Sequence, residues 1–251
     1  MTIFYFTATG NSLAVAKRIG GTLISIPKVI DSVDIHYKDD VIGVVFPVYW
    51  WNLPKLVRRF FDKVSFEADY VFAISTYGSM ASGEMVSLQK QAKKNGYRFD
   101  YTNHVLMLDN YLPAFDMSSQ INKLPKKRVA ECIDEIIADI NIRKSTNTKA
   151  NIIKRLMTAA MVRIFAPSKN ACKYIVNDRC NQCGVCAQVC PAKNITVADR
   201  VGFNVYCEGC LACLHLCPQN AIHLKNEKSD MRWRNPEVSL KDIIEANNRM
   251  N

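Results

Sequence analysis

Eight of the chain's ten cysteines lie between Cys180 and Cys217, in two copies of one pattern. The blocks "CNQCGVCAQVCP" and "CEGCLACLHLCP" both read C-x2-C-x2-C-x3-C-P, and every cysteine of the second stands 27 residues after its counterpart. Three thiolates separated by two-residue gaps can curl round a metal cluster and bind three of its irons. The proline after Cys190 and Cys217 keeps that cysteine out of the α region and turns the chain away, so the trailing thiolate serves a different place. Cysteines confined to one short stretch point to metal ligation rather than to a disulfide framework. Two structural zinc sites or a disulfide-rich module are the competing readings. Zinc sites usually come as separated CxxC pairs, and neither alternative accounts for the Cys-Pro steps.

A second constellation stands at the other end of the chain. "TATGNS" follows the apolar run "TIFYF" (2–6) and precedes a helical period that starts near Asn11. Free backbone N–H groups and the positive end of a helix therefore point at whatever occupies the turn. Gly10 permits close backbone approach. Thr7, Thr9 and Ser12 offer hydroxyl donors, and Asn11 offers an amide. Such a turn can hold a phosphate monoester with neutral donors alone, and the lysine of a nucleoside-triphosphate loop is missing.

Two further loops carry aromatic and small polar residues: "FPVYWWNLP" (46–54) and "STYGSMASG" (75–83). Tryptophans beside Tyr49 at the end of a strand are costly to leave in a loop unless something flat covers them. One of the pair is expected to pack into the sheet instead. A fourth loop, "DNYLP" (109–113), is expected to close over the same place.

The elements that position these loops are legible from periodicity. "TIFYF", "VIGVVF" (41–46) and "YVFAIST" (70–76) read as buried strands, "TLISI" (22–26) as a weaker one, and an extended segment is expected within 97–108. Helical periods cover 11–20, 53–64, 83–96 and 126–144. Alternating strands and helices imply a parallel sheet covered on both faces, with a ligand outside the strands' carboxyl ends. Half of the chain is apolar (49%), enough for a well-filled core.

The cysteine blocks resemble the bacterial two-cluster ferredoxins, in which the fourth cysteine of each run serves the other cluster. The resemblance implies one [4Fe–4S] cluster on Cys180, Cys183, Cys186 and Cys217, and a second on Cys207, Cys210, Cys213 and Cys190. The turn resembles the flavodoxin phosphate loop T-x-T-G-x-T/S, met by Thr7, Thr9, Gly10 and Ser12. That resemblance implies a doubly wound α/β sheet of strand order 2-1-3-4-5 that binds FMN. Its phosphate would sit on Thr7–Ser12, with Tyr49, Trp50 or Trp51 stacked on one face of the ring and Tyr77 on the other. Asn52 and the backbone around Trp51 would meet N5 or O4, and Thr76 and Gly78 the pyrimidine edge. Together the halves resemble the flavodoxin–ferredoxin fusions of anaerobic microbes.

The expected division is a flavodoxin-like domain over 1–142, a basic hinge and amphipathic connector helix over 143–173, a small α+β two-cluster ferredoxin domain over 174–225 and a loosely held tail over 226–251. The net charge of +10 belongs to the connector: residues 141–173 hold eight basic and no acidic side chains, while residues 1–140 and 174–225 each balance to +1. That helix is expected to pack between the domains; docking of an acidic redox partner protein and contact with a membrane surface are the other readings. The nearly neutral domains offer no nucleic-acid face. No stretch approaches a membrane-spanning length, "MTIFYFTATG" has no basic leader, and a cytoplasmic location is expected. Cys132, Cys172 and His215 are expected to be structural. No Ser-His-Asp, paired-carboxylate or HExxH pattern appears, so no catalytic residue is nominated. The expected function is electron transfer between the clusters and FMN; a flavin-dependent reductase fed by the clusters is the alternative.

Overall fold

The computed structural model describes residues 1–81, 83–146 and 174–248. The connector helix, most of the basic stretch and Cys172 lie outside the described residues. The first half runs β1 (Thr2–Tyr5), α1 (Asn11–Ile19), β2 (Thr22–Ser25), α2 (Ile26–Val29), β3 (Ile35–Lys38), β4 (Val41–Pro47), α3 (Lys55–Lys63), β5 (Val64–Glu67), β6 (Tyr70–Tyr77), α4 (Glu84–Lys94), β7 (Tyr101–Leu106), α5 (Met117–Lys123), a 3-10 turn over Leu124–Lys127 and α6 (Val129–Asn141). Five strands form one sheet in the order β2-β1-β4-β6-β7, and every pair in it is parallel. Counted within the sheet alone this is 2-1-3-4-5, the flavodoxin-like doubly wound order. The order reverses beside β1, so the crevice between β1 and β4 at their carboxyl ends is where a ligand belongs.

Alternation along β1 shows why both faces must be covered. Ile3 and Tyr5 pack on the α1 and α6 side, against Leu13, Val15 and Ile136, while Phe4 and Phe6 pack on the α3 side with Phe60. The β3–β5 ladder is a separate two-stranded parallel pair that the sequence reading did not anticipate. Its strands are short, and only Ile35 and Val64 are buried.

The cysteine-rich half runs β8 (Tyr174–Val176), α7 (Val185–Gln188), β9 (Ile195–Val197), β10 (Val201–Phe203), α8 (Ala212–His215) and β11 (Ile222–Leu224), and α9 (Leu240–Asn247) is the last described element. β9 pairs with β10 and β8 with β11, both antiparallel. The internal repeat survives in space: each cysteine block forms a one-turn helix, carrying Cys186 in α7 and Cys213 in α8.

The last segment corrects an expectation. Residues 226–251 read as a loose tail, yet Trp233, Val238, Ile243, Ala246 and Asn247 are buried. Val238, Ile243 and Ala246 enter the same core as Ile3 and Leu13, together with Val189, Ala212 and Leu216 of the cysteine-rich half. A capping box starts α9: Ser239 Oγ accepts from Asp242 N at 3.0 Å, and Asp242 Oδ2 accepts from Ser239 N at 2.8 Å. The tail is thus the seam between the two halves. Among the described residues, no helix is long and apolar enough to cross a membrane.

Candidate functional site

A cavity of about 590 Å³ opens at the β1/β4 crevice, within the size range of cofactor sites. One end is the turn before α1. Thr7, Ala8, Thr9, Asn11 and Ser12 line it, and among the described residues no lysine or arginine lines any part of the cavity. α1 has no side-chain N-cap, so its first-turn N–H groups remain available to a ligand. The hydroxyls are arranged to donate. Thr7 Oγ1 accepts from Gly10 N at 3.2 Å and Thr9 Oγ1 accepts from Asn110 Nδ2 at 2.8 Å, which leaves each hydroxyl proton for another acceptor. Ser12 Oγ and Thr76 Oγ1 share one hydrogen bond of 2.8 Å, so one of those two protons is left over as well.

Gly10 plays a different part from the one expected. It adopts φ +99°, but it does not line the cavity. A Cβ there would stand 3.0 Å from the Cβ atoms of Asn235 and Val238, so the close approach it permits is that of the tail. Asn235 N donates to Thr9 O at 2.8 Å, directly behind the turn.

The far end of the cavity is aromatic. Tyr49, Trp50, Trp51, Tyr77 and Tyr111 line it, with Thr76, Gly78 and Asp109. Tyr49 and Asn52 exchange two backbone hydrogen bonds of 3.0 and 2.9 Å, enclosing Trp50 (φ 51°) and Trp51 (φ 58°) in a type I′ hairpin turn. Tryptophan has no conformational reason to sit in the left-handed region, and each such residue costs on the order of 1–3 kcal/mol. The turn holds both indoles at the cavity. Trp50 packs edge-on against Tyr111, with centroids 4.9 Å apart.

The expectation that one tryptophan enters the sheet is corrected: both line the cavity, and Tyr49 is the residue that packs onto the core, edge-on to Phe6. Asn52 is also corrected, because it does not line the cavity. Its Oδ1 accepts from Leu53 N at 2.8 Å and Arg58 Nη2 at 3.2 Å, which spends the side chain on the entry to α3. Gly78 is required sterically, since a Cβ would lie 2.3 Å from that of Asp109. Burial raises the Asp109 carboxyl above the usual carboxylate range.

The cysteines gather in two groups. Cys180, Cys183, Cys186 and Cys217 surround one small cavity, and Cys190, Cys207, Cys210 and Cys213 surround another. Each trailing cysteine has crossed to the other block's site, as the Cys-Pro steps require. Burial raises the Cys186 thiol to about 11 and lifts those of Cys190, Cys210 and Cys213 above their ordinary value, so only a bound cation or cluster would hold them as thiolates. Backbone donors are already in place, from Asn194 N to Cys190 Sγ, Gly209 N to Cys207 Sγ and Ala221 N to Cys217 Sγ, each at 3.3 Å. Cys183 is exposed.

The second group shares a wall with the first cavity, through Gly209, Cys210 and Leu211. No single-sequence signal pointed to that wall, since it depends on how the two halves dock. Lys55 Nζ donates to Cys207 O at 3.2 Å. The Glu208 carboxylate accepts from the first N–H groups of α3, at Leu56 and Lys55, while burial pushes its pKa up to about 7. The buried Tyr49 hydroxyl meets no partner among the described residues and lies in the field of Cys210 and Glu208. His215 is buried in its neutral form: its Nδ1 accepts from Trp233 N at 3.2 Å and its Nε2–H donates to Asn110 O at 2.8 Å.

Residues 173–196 match the family model of the 4Fe-4S binding domain. The pyruvate synthase subunit PorD of Methanocaldococcus jannaschii is 39% identical over 49 residues, covering 18% of this chain and 57% of that protein. PorD of Methanothermobacter marburgensis is 33% identical over 55 residues, covering 22% of this chain and 67% of that protein. The chain is a flavodoxin-like domain fused to a 4Fe–4S ferredoxin module. Two solved structures resemble the first half of the fusion. A flavoprotein candidate from Bacteroides uniformis superposes with TM-score 0.34 and 20% identity, over 42% of this chain and 89% of its own. The two-electron reduced flavodoxin of Megasphaera elsdenii superposes with TM-score 0.28 and 19% identity, over 41% and 83%. The flavodoxin-like assignment therefore rests on strand order rather than on these superpositions. Electron transfer is the class of function that a ferredoxin module carries.

Proposed function

We propose that the fusion carries electrons between two [4Fe–4S] clusters and FMN, linking one-electron exchange at the clusters to the flavin's capacity for two. The shared wall supports this reading most directly, because Cys210 belongs to one cysteine group and also lines the cavity assigned to FMN. The chemistry of the donors fits the group: neutral hydroxyl, amide and backbone N–H donors for a phosphate monoester at one end, and aromatic side chains for a flat ring at the other. Thr7, Thr9, Asn11 and Ser12 would bind the phosphate, Trp50, Trp51 and Tyr77 would enclose the ring, and Thr76 and Gly78 would stand at its pyrimidine edge. Bound FMN supplies reversible one- or two-electron storage.

The cluster on Cys180, Cys183, Cys186 and Cys217 is the outer one in this reading, since Cys183 is exposed and none of the four lines the FMN cavity. A redox partner protein would exchange electrons there, and the cluster on Cys190, Cys207, Cys210 and Cys213 would pass them to or from the flavin. The relatives named as pyruvate synthase subunits support an oxidoreductase as that partner.

Anaerobic reconstitution followed by iron, sulfide and flavin analysis tests the composition. Two four-iron clusters and one FMN per chain are expected. Clusters without bound flavin would overturn the reading of the cavity.

A further inference from the structure

The tail packs on the back of the phosphate turn, and its polar groups there form an ordered chain of hydrogen bonds. Glu237 N can only donate, and it meets Asn235 Oδ1 at 3.0 Å. That fixes the orientation of the Asn235 amide and leaves Nδ2 as its outward group, which donates to Asn11 Oδ1 at 3.2 Å. Trp233 Nε1, a donor only, meets the same oxygen at 3.3 Å. Asn235 is 5% exposed and Trp233 8% exposed, so both donors act without competition from solvent.

Two obligatory donors converging on one atom require that atom to be the amide oxygen. The Asn11 NH₂ group must then be the half that faces the cavity which Asn11 lines. Among the described residues that nitrogen has no acceptor. A third tail residue, Asn247, is fully buried and donates to Thr7 O at 3.0 Å and Val189 O at 3.2 Å, tying the turn to the residue before Cys190.

We infer that Trp233 and Asn235 are specificity-determining residues of the phosphate site: by holding the Asn11 amide with its NH₂ toward the cavity, they make the turn donor-only and selective for a phosphate monoester. The inference rests on the FMN reading above. It also explains how a turn without a cation can hold a dianion, because an amide free to rotate would present its oxygen to the phosphate part of the time. The segment around Trp233 and Asn235 thereby completes a site that the first residues of the chain begin.

The test compares FMN with riboflavin, which has the same ring and no phosphate, by quenching of flavin fluorescence on the full cluster-loaded chain. In the double variant Trp233→Phe/Asn235→Ala, FMN binding is expected to weaken about tenfold, with riboflavin binding unchanged, since a hydrogen bond to a charged group is at stake. Asn11→Asp keeps an oxygen for the two tail donors but turns a carboxylate oxygen to the cavity. It is expected to fold as the wild type and to lose FMN by about 100-fold or more while still binding riboflavin. Should the double variant fail to fold, Trp233→Phe alone keeps the ring's packing and is expected to shift the FMN-to-riboflavin ratio in the same direction. Equal losses of both flavins, or an unchanged ratio in folded variants, would overturn the tail's role while leaving the FMN reading intact. A wild-type chain that binds neither flavin would overturn the FMN reading and this inference with it.

Discussion

At the scale of single residues, the site is built by assigning each polar atom one direction. Thr7 and Thr9 accept from within the protein, so their protons are left to face outward. Tyr49 is the exception, with a buried hydroxyl that no group among the described residues satisfies, on the side of Cys210 and Glu208. Leaving such a group unpaired costs roughly 1–3 kcal/mol, which a nearby cluster sulfur would relieve. Tyr49→Phe is therefore expected to lower the potential of one cluster. A hydrogen bond of about 1 kcal/mol corresponds to about 40 mV for one electron. Cluster potentials measured by EPR-monitored titration that stay the same in the variant would contradict this. The placement of Thr7, Thr9 and Ser12 on a turn between a strand and α1 was legible from their position between an apolar run and a helical period. The roles of Gly10 and Asn52 were not, because both are fixed by neighbours, Val238 and Arg58, whose positions depend on the folded chain.

At the scale of elements, α9 decides whether the two halves stay together. Its capping box and buried face carry the tail onto α1, and Ser239→Ala is expected to cost about 1 kcal/mol. The Ser239 hydroxyl and backbone N–H hold the Asp242 carboxyl below the usual carboxylate range, with Lys17 adding to the effect. A depressed carboxyl contributes stability above its unfolded pKa and loses it as the pH falls through the folded one. Hydrogen-exchange protection of α9 should therefore decline on acidification below about pH 4, and Ser239→Ala should show reduced protection already at neutral pH. Protection that is equal in wild type and variant at every pH would contradict the assignment. A signal for α9 did exist in the sequence: Ser239-x-x-Asp242 precedes Ile243 and Ile244, the pattern that opens an amphipathic helix. The parallel strands were easier to read, because burial on both faces leaves continuous apolar runs such as "VIGVVF". β3 and β5, half-polar and four residues each, leave no such trace.

At the scale of the whole molecule, the two halves meet at a seam among the described residues, and the large cavity and the Cys190, Cys207, Cys210 and Cys213 group adjoin it. The core under α1 continues into Val189, Ala212 and Leu216 of the ferredoxin module, and the loop over 109–113 spans the gap, with Asn110 bonded both to Thr9 and to His215. The strand–helix alternation and the eight-cysteine repeat could be read from local spacing, and the strand order followed from the resemblance of the phosphate turn, whereas the docking of the halves could not be read at all. It depends on contacts such as Asn247 with Thr7, 240 positions apart.

The proposed electron transfer requires an iron–sulfur cluster on Cys190, Cys207, Cys210 and Cys213 directly beside bound FMN. Stepwise anaerobic reduction of the reconstituted chain, followed by EPR, tests it most directly. The flavin signal is expected to broaden and relax faster once the neighbouring cluster becomes paramagnetic. A narrow flavin signal indifferent to the state of both clusters would contradict it.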